Sequence, residues 1–352
     1  MALKKIRVLI IDDSILIRKR LNDFINDFPN CEVVATARDG EEALKIIPVL
    51  KPDVITLDLE MPKIDGVTTL KYIMSEWPTP TIIVTSYTTF NGENSLKCLE
   101  YGAFDVILKP ESNDYTDFKK ELRRKIVIAA NVKIKKLAPI FKTKIPLKYK
   151  FITDSQNIKK VVIIAASTGG PRTLSEVISK LKKPFPATLI IVQHMPPSFT
   201  THLAARLDQL TDLTVKEAID NEFLKNEHVF VTPGEHNLFF EYFNDSSCIV
   251  KLGKYKTKLD LIDTANKTIY ALADIFKERC LGVVLTGMGC DALNGIRELK
   301  SKGGTAFAQN KSTSLIYGMP KAVIDAGLID EVLPLDQIAD KILNWVRKEP
   351  NE

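Results

Sequence analysis

The sequence predicts two consecutive α/β domains, each built on a doubly wound, mostly parallel sheet with helices on both faces. Short runs rich in isoleucine and valine alternate with stretches that have the periodicity of amphipathic helices. Continuous apolar runs of this kind are typical of strands buried on both faces of a parallel sheet. The alternation stops near residue 125 and starts again near residue 158, which indicates two domains rather than one.

The length and composition agree with this interpretation. The chain has 352 residues, of which 45% are hydrophobic and 26% charged, so it is neither disordered nor fibrous. No run approaches the ~20 apolar residues of a membrane-spanning helix, and the N-terminus lacks a signal-peptide pattern. The five cysteines are scattered without CxxC spacing, which favours a reducing compartment over a disulfide framework or a zinc site. We therefore expect a cytoplasmic protein without membrane insertion.

The N-terminal part, residues 1–125, contains five apolar runs that predict the strands of a small doubly wound (βα)5 domain. These runs are residues 6–12, 32–36, 53–58, 80–85 and 104–108. The C-terminal part, residues 158–349, contains runs that predict a second sheet, at residues 161–166, 188–193, 228–232 and 281–286. Loose alternation across residues 238–262 favours a β-hairpin.

Residues 126–157 are predicted to form a basic linker. Between residues 119 and 160 there are fourteen lysines and arginines but two acidic residues, and two prolines interrupt this run. Charge confined to one proline-containing segment is typical of a connection rather than of a folded basic face. Contact with DNA or an anionic membrane is the alternative, but no DNA-reading motif follows the first domain. We expect no nucleic-acid partner.

Polar side chains follow four strands of the first predicted sheet. Asp12 and Asp13 come after the first strand, Asp58 closes the third, Thr85 the fourth and Lys109 the fifth. The carboxyl ends of parallel strands meet at one edge, so these groups are expected to converge. Clustered carboxylates need a cation and suit Mg²⁺, and a lysine and a hydroxyl beside them suit phosphoryl transfer to a carboxylate. Taken singly, each residue is also explained as a helix cap or a turn residue.

These residues stand in motifs that resemble the receiver domain of two-component response regulators. The motifs are IDDS at 11–14, LDLEMPKIDG at 57–66, VTS at 84–86 and KP at 109–110, and the resemblance spans residues 5–125. It implies that Asp58 is the phosphoacceptor, with a histidine kinase as phosphodonor and Mg²⁺ as cofactor. The resemblance implies that the metal site is formed by Asp12, Asp13, Asp58 and the carbonyl of Glu60. It also implies that Thr85 and Lys109 contact the phosphoryl group.

One position departs from the receiver pattern. Many receivers carry an aromatic residue three positions before the lysine, and this sequence has Val106 there. Phosphorylation remains the expected signal, but an aromatic rotamer switch at this position is not expected. We also expect a cis Lys109–Pro110 bond, because X–Pro bonds adopt this form at low cost.

A candidate nucleophile follows the first strand of the second sheet. Ser167 stands between the run VVIIAA and a glycine-rich turn that opens a helix, so its hydroxyl is expected at the carboxyl edge beside backbone N–H groups. His194 follows the next strand, and Asp291 follows the strand predicted at 281–286. Together they predict a nucleophile, a general base and an orienting carboxylate.

Each of these residues also has a plainer interpretation. Ser167 lies outside any GxSxG motif and suits a phosphate-binding glycine loop or a helix cap, and Asp291 suits an N-cap for the helix after it. Cys290 competes weakly as a nucleophile, because no histidine accompanies it in the sequence. The remaining histidines are expected in structural positions, namely His202, His228 and His236.

The second half resembles the catalytic domain of chemotaxis protein-glutamate methylesterases, a family that joins this domain to an N-terminal receiver. The motifs are AASTGGP at 165–171, QHMP at 193–196, LTGMGCDA at 285–292 and SLIYGMPKAVIDAG at 314–327. The resemblance implies that Ser167, His194 and Asp291 form the triad. It further implies that Thr168 and the Met288 backbone lie beside the pocket and assist the oxyanion.

The implied reaction is hydrolysis of glutamate γ-methyl esters on methyl-accepting chemotaxis receptors, at their cytoplasmic helices. Methanol is released, and the esterase chemistry needs no cofactor. The resemblance also implies glutamine deamidation at the same receptor sites. A receiver placed before the catalytic domain is expected to cover its cleft until Asp58 is phosphorylated.

Two segments depart from the methylesterase pattern. The usual Arg-Pro-Ser-Val-Asp segment is replaced at residues 256–260, where Asp260 alone is retained, and His236 stands one residue early, with Asn237 in its expected place. Both departures concern receptor specificity more than the chemistry. Two other function classes stay open, a phospho-regulated binding module without catalysis and an esterase that acts on a different substrate.

Overall fold

The computed structural model describes residues 5–86, 97–112, 114–132, 156–244, 247–254 and 263–348. The chain divides into two compact units, residues 1–142 and 143–352. Most of the predicted linker and the departing segment at 256–260 lie outside the described residues. The domain boundaries at residues 125 and 158 stay predictions.

The described part of the N-terminal unit contains a five-stranded parallel sheet in the order β2-β1-β3-β4-β5. The strands are β1 (Ile6–Ile11), β2 (Cys31–Ala37), β3 (Val54–Leu57), β4 (Thr81–Thr85) and β5 (Asp105–Leu108). The helices with both ends described are α1 (Ile15–Asn26), α2 (Gly40–Leu50), α3 (Gly66–Glu76) and α4 (Thr116–Ala129), and residues 97–100 are also helical. This is a doubly wound sheet whose strand order reverses between β1 and β3, as the sequence predicted.

The helices of this unit begin where polar side chains cap them. Ser14, Asp39 and Asp65 accept hydrogen bonds from backbone N–H groups in the first turns of α1, α2 and α3. At the start of α3 the backbone also passes very close to the end of β3. A Cβ at Gly66 would lie 2.1 Å from the carbonyl oxygen of Asp58, so glycine is required there. These contacts fix the loops around the carboxyl end of the sheet.

The C-terminal unit is built on a seven-stranded parallel sheet in the order β14-β13-β12-β6-β7-β9-β8, with an antiparallel hairpin β10-β11. The sheet strands are β6 (Val161–Ala166), β7 (Thr188–Gln193), β8 (Thr214–Glu217), β9 (His228–Val231), β12 (Cys280–Val284), β13 (Thr305–Gln309) and β14 (Glu331–Leu333). The hairpin is β10 (His236–Asn244) and β11 (Ser247–Lys254). The helices are α5 (Gly170–Ile178), α6 (Pro197–Asp208), α7 (Thr264–Phe276), α8 (Leu293–Ser301), α9 (Met319–Asp325) and α10 (Leu335–Arg347).

The sheet of the C-terminal unit confirms the α/β prediction and contains three strands more than were predicted. The four predicted strands and the hairpin are present, but β8, β13 and β14 were not predicted. β8 carries two charged residues in four, and β14 is three residues long, so neither gives an apolar run. Among the described residues, none of the helices is both long enough and apolar enough to cross a membrane.

The chain enters this sheet at β6, in its middle, and the strand order reverses between β6 and β12. In open α/β sheets, ligands bind beyond the carboxyl ends of the strands at such a reversal. One face of the sheet packs against α7, α8 and the hairpin through a continuous apolar core, which includes Ile163, Ile190, Phe230, Leu238, Phe240, Ile269, Leu272 and Ile296. The core holds the strand ends rigidly where the candidate residues lie.

Candidate active sites

The N-terminal unit brings three carboxylates together at the carboxyl edge of its sheet. Asp12 and Asp13 follow β1, and Asp58 follows β3. One oxygen atom from each lies within 4.8 Å of the others. Asp12 and Asp58 are buried, whereas Asp13 is exposed to solvent. Hard carboxylate oxygens at this spacing fit a magnesium ion, with the exposed side left for water and a phosphoryl group.

Lys109 neutralises the two buried carboxylates. Its Nζ lies 2.7 Å from Oδ2 of Asp12 and 2.7 Å from Oδ2 of Asp58. The side chain reaches the site from the end of β5, where Lys109 N donates a hydrogen bond to the carbonyl of Thr85. One lysine therefore serves two anions, and the cluster keeps an excess of negative charge once Asp13 is counted.

Burial changes the protonation chemistry of this cluster. It raises the pKa of Asp58 to about 6, although the Lys109 ammonium opposes the change. It raises the pKa of Asp12 in the same way. Burial also works against the Lys109 ammonium, but Asp58 and Asp12 outweigh it and raise the pKa of Lys109. The ionised aspartates are thus costly to bury, and a bound cation would relieve that cost.

Thr85 completes the predicted constellation. Its side chain is buried at the end of β4, and its hydroxyl oxygen has no hydrogen-bond partner among the described residues. This hydroxyl lies at the same sheet edge as the carboxylates and is free to donate to a phosphoryl oxygen bound there. Glu60 is exposed two residues after Asp58, where its carbonyl lies in the loop that follows β3. The residues present therefore fit both a magnesium ion and a phosphoryl group.

Two expectations concern β5 and its end. Val106 is buried, and its carbonyl accepts a hydrogen bond of 2.7 Å from Nζ of Lys125. The expected cis Lys109–Pro110 bond is wrong. Among the described residues, the cis bond is Lys183–Pro184 in the other unit. The trans form is favoured by ~0.5–1 kcal/mol even before proline, and Lys109 reaches both aspartates in this form.

In the C-terminal unit, Ser167 lies on a tight turn between β6 and α5. Its N–H donates to the carbonyl of Thr286 at 3.1 Å, and its own carbonyl accepts from the N–H of Gly170 at 2.7 Å. Gly169 closes the turn with φ of 80°, a conformation that glycine adopts without strain. The serine is half-buried, beside the N-terminus of α5. This placement gives a reachable hydroxyl at the positive end of a helix.

His194 and Asp291 form a direct pair at the same edge. Nε2 of His194 lies 2.8 Å from Oδ2 of Asp291. A carboxylate can only accept, so Nε2 carries the proton in this pair and Nδ1 is left as the basic nitrogen. No hydrogen bond joins the Ser167 hydroxyl to His194 in the described part of the chain. Catalytic hydrogen bonds are often open before substrate binds, so the geometry is compatible with a triad.

Asp291 is held from behind by helix α7. Its carboxylate accepts hydrogen bonds from the N–H groups of Ala265 and Asn266, at 2.9 and 3.0 Å, and from Ala292 at 2.8 Å. The interpretation of Asp291 as the N-cap of α8 is wrong, because α8 begins at Leu293 and its N-cap residue is Ala292, which has φ of 79° and makes no side-chain cap. The aspartate instead caps α7, which begins more than twenty residues earlier in the sequence. That role fixes the carboxylate that orients His194.

The predicted oxyanion residues lie on two neighbouring loops. Thr168 is buried next to Ser167, and Met288 is half-buried in the loop after β12. The N–H of Met288 has no hydrogen-bond partner among the described residues. A Cβ at Gly287 would lie 3.0 Å from Cβ of Ser167, so this loop passes directly beside Ser167. The arrangement suits stabilisation of an oxyanion by backbone N–H groups.

Two buried residues that the sequence analysis missed also contact this site. Nε2 of Gln193 donates to the carbonyls of Ser167 and His194, at 2.9 and 3.2 Å. The hydroxyl of Thr286 contacts the backbone of Thr168 and Ile316. Both stand within the motifs QHMP and LTGMGCDA, but each acts on backbone atoms. A sequence motif cannot reveal such contacts.

The other candidates take structural positions. His202 lies within α6, and His228 begins β9, where burial lowers its pKa. His236 begins β10, and its Nδ1 lies 2.9 Å from the carbonyl of Gly234. Asn237 is buried, and its Oδ1 has no partner among the described residues. Cys290 is exposed beside Asp291.

The raised pKa of Asp58 predicts a pH-dependent stability difference between the wild-type protein and Asp58→Asn. The folded state keeps the proton up to about pH 6, whereas the unfolded chain loses it near its ordinary value of 3.8. Stability from this group is therefore lost as pH rises from about 4 to 6, and Asp58→Asn should gain ~1–3 kcal/mol relative to wild type over that range. Amide hydrogen exchange of β1 and β3 peptides in EDTA measures this difference. Asp23→Asn, at an exposed position, is the control. A stability difference between wild type and Asp58→Asn that stays constant from pH 4 to 7 would contradict the prediction.

The environment of Asp291 predicts a severe effect for Asp291→Asn. Both carboxylate oxygens of Asp291 accept hydrogen bonds from N–H groups. In either rotamer, the asparagine NH2 group would therefore point at another hydrogen-bond donor and could not bond to it. We expect esterase activity to fall by about 10⁴-fold, since the histidine loses its tautomer, and stability to fall by ~1–3 kcal/mol. Turnover and thermal unfolding measure the two effects. Asp274→Asn, at an exposed position of α7, serves as control, and near-normal activity of Asp291→Asn would refute the assignment.

Comparison with known proteins identifies both domains. Residues 162–342 match the model of the CheB methylesterase family, and residues 8–117 match that of the response regulator receiver domain. A protein-glutamate methylesterase/protein-glutamine glutaminase of Thermotoga maritima is 41% identical over 351 residues, covering 97% of this chain and 98% of that protein. The protein of the same name from Pyrococcus abyssi is 38% identical over 352 residues, covering 97% and 94%.

A solved structure supports the fold of the C-terminal unit. The crystal structure of the Thermotoga maritima CheB methylesterase catalytic domain is 42% identical, with a TM-score of 0.51. The match covers 53% of this chain and 97% of that domain. Both resemblances read from the sequence are thereby confirmed. The chain belongs to the CheB methylesterase family, with a response-regulator receiver domain ahead of its methylesterase domain.

Proposed function

We propose that this protein hydrolyses glutamate γ-methyl esters on the cytoplasmic helices of methyl-accepting chemotaxis receptors, with Ser167, His194 and Asp291 as its triad. The observation that carries the proposal is the 2.8 Å pair between His194 and Asp291 at the same sheet edge as Ser167. The curated relatives are named for this activity. The proposal places the protein in the cytoplasm, where its substrate helices lie.

The reaction follows from the positions of the three side chains. Nδ1 of His194 removes the proton from the Ser167 hydroxyl as Oγ attacks the ester carbonyl. Backbone N–H groups at Thr168 and Met288 stabilise the oxyanion that forms. The imidazolium returns the proton to the methoxy oxygen, and methanol leaves an acyl-enzyme. Water then attacks this ester with help from His194, which releases the glutamate and restores the serine.

The same site suits deamidation of receptor glutamines. The relatives' names include protein-glutamine glutaminase. An amide carbonyl would be attacked by Ser167 in the same way, and His194 would protonate the leaving nitrogen to give ammonia. The acyl-enzyme and its hydrolysis would be identical. An amide has the poorer leaving group, so we expect this reaction to be slower than ester hydrolysis.

The N-terminal unit is proposed to control this activity by phosphorylation of Asp58 from a histidine kinase. The carboxylate attacks the incoming phosphoryl group, Lys109 balances its charge, and the Thr85 hydroxyl donates to a phosphoryl oxygen. Asp12, Asp13, Asp58 and the Glu60 carbonyl would hold Mg²⁺, which supplies charge neutralisation between the two anions when bound. We propose that the unphosphorylated receiver blocks the esterase cleft.

The esterase proposal is tested by methanol release from methyl-esterified receptor membranes. The wild-type protein should release methanol, and Ser167→Ala should lose at least about 10³-fold because no nucleophile remains. Ser179→Ala is the matched control, since this exposed hydroxyl lies just after α5. Ser167→Ala protein with full activity would overturn the triad. A folded wild-type protein that releases no methanol would favour a binding module or another ester.

The regulatory proposal predicts that Asp58→Asn has low esterase activity that a small-molecule phosphodonor with Mg²⁺ does not raise. Wild-type activity should rise under the same conditions, because phosphorylation relieves the block. Methanol release with and without phosphodonor measures the ratio, and Asp23→Asn, exposed on α1, should respond like wild type. An Asp58→Asn protein that is fully active without phosphodonor would contradict the proposal.

A further inference from the structure

Thr286 is a buried residue at the junction of three segments around the nucleophile. It is fully buried just after β12, at the start of the loop that leads to Met288. Its hydroxyl accepts a hydrogen bond from the N–H of Ile316 at 2.9 Å. The same hydroxyl lies 3.1 Å from the carbonyl of Thr168 and 3.2 Å from that of Ile316, and its hydrogen is shared between them. One hydroxyl therefore joins the nucleophile turn to the segment around Ile316.

The backbone of Thr286 extends the same connection. Its N–H donates to Oε1 of Gln309 at 2.8 Å, and its carbonyl accepts from the N–H of Ser167 at 3.1 Å. The next residue, Gly287, donates its N–H to the carbonyl of Ile316 at 3.1 Å. The loop after β12, the turn at Ser167 and the segment around Ile316 thus form one hydrogen-bonded unit. Thr286 contributes a contact to each part.

The two loops that Thr286 connects are packed closely against a third segment. A Cβ at Gly169 would lie 2.9 Å from the side chain of Leu315, and one at Gly287 would lie 2.3 Å from Sδ of Met319. Both loops therefore lie against the segment that contains Leu315 and Met319, and the hydrogen bonds between Thr286 and Ile316 join them to the same segment. The two groups proposed to hold the oxyanion, at Thr168 and Met288, lie on the loops that Thr286 connects.

We propose that Thr286 is a positioning residue for the methylesterase reaction, whose hydroxyl sets the distance between the backbone donors at Thr168 and Met288. The proposal rests on the proposed function, because it takes Ser167 as the nucleophile and the N–H groups at Thr168 and Met288 as the oxyanion donors. Thr286 touches no reacting atom and acts through the backbone. Because these donors stabilise charge that exists only in the transition state, their displacement should lower kcat and leave KM nearly unchanged.

A second threonine separates this role from simple packing. Thr268, on α7, is equally buried, but its hydroxyl has no hydrogen-bond partner among the described residues. Threonine and valine have nearly the same shape, so Thr286→Val and Thr268→Val remove a hydroxyl with similar disturbance to packing. Thr286→Ala and Thr286→Ser form a second matched pair. Both lose the same methyl group, and only the serine variant keeps the hydroxyl.

The test measures kcat and KM for methanol release together with the labelling rate of Ser167 by a fluorophosphonate, in the full-length protein. Thr286→Val and Thr286→Ala should lower kcat about 10- to 100-fold with KM within about twofold. Thr286→Ser should recover most of the rate, and Thr268→Val should match wild type. Fluorophosphonate labelling should slow in the same variants, since it uses the same oxyanion donors.

The outcomes separate this inference from the proposed function. A wild-type protein that labels at Ser167 but releases no methanol removes the proposed substrate, and the labelling rates still test Thr286. Equal rates for Thr286→Val and Thr268→Val would overturn the inference, as would equal losses in Thr286→Ala and Thr286→Ser. If Thr286→Val fails to fold, the alanine and serine pair decides. A rise in KM without a fall in kcat would also overturn it.

Discussion

Both units depend on one property of the parallel sheet, that the carboxyl ends of all its strands meet at a single edge. The helices that follow these strands begin at that edge, with N–H groups that their own turns cannot satisfy. Residues far apart in sequence, such as His194 and Asp291, thus reach hydrogen-bond distance without long loops. The same property brings Lys109 to Asp12 and Asp58 in the N-terminal unit. Apolar strands buried on both faces keep these edges fixed, and the polar residues at their ends supply the chemistry.

The two sites bury a carboxylate at this edge in different ways, and the difference suits the roles proposed for Asp58 and Asp291. Asp58 has one lysine nearby, and burial raises its pKa. A bound cation would therefore stabilise its ionised form, which is the form that accepts a phosphoryl group. Asp291 is surrounded by the N–H groups of Ala265, Asn266 and Ala292 as well as by His194. Its charge is met by fixed dipoles that do not change during a reaction. The first arrangement holds a group ready to react, and the second holds a group that only orients another.

The sequence was sufficient to place the candidate side chains at the strand ends and insufficient to predict the contacts that hold them there. Ser167 and His194 were predicted because each directly follows an apolar run, and position after a strand implies position at the edge. Strand β14 was missed because three residues give no pattern, and it is recognised only by its pairing with β13. Asp291 was assigned correctly to the edge, but the helix that it caps was not, because the partner N–H groups carry no side-chain signal. Local patterns predict elements, whereas hydrogen bonds between distant backbone groups depend on the finished fold.

The residues that escaped prediction share a physical role. Gln193, Thr286 and the N-terminus of α7 all bind backbone or carboxylate groups of the site, and none of them needs to touch a substrate. A side chain that reacts must be reachable, and the proposed reacting residues Ser167 and His194 are half-buried. A side chain that holds a loop in place is effective when water cannot compete for its hydrogen bonds, so it is buried. Displacements of ~1 Å can cost about 100-fold in rate, so the proposed active site would depend on its buried polar residues as much as on the proposed triad. In the proposed methylesterase site, the strand ends therefore carry the reacting side chains, and hydrogen bonds between the loops hold these side chains in position.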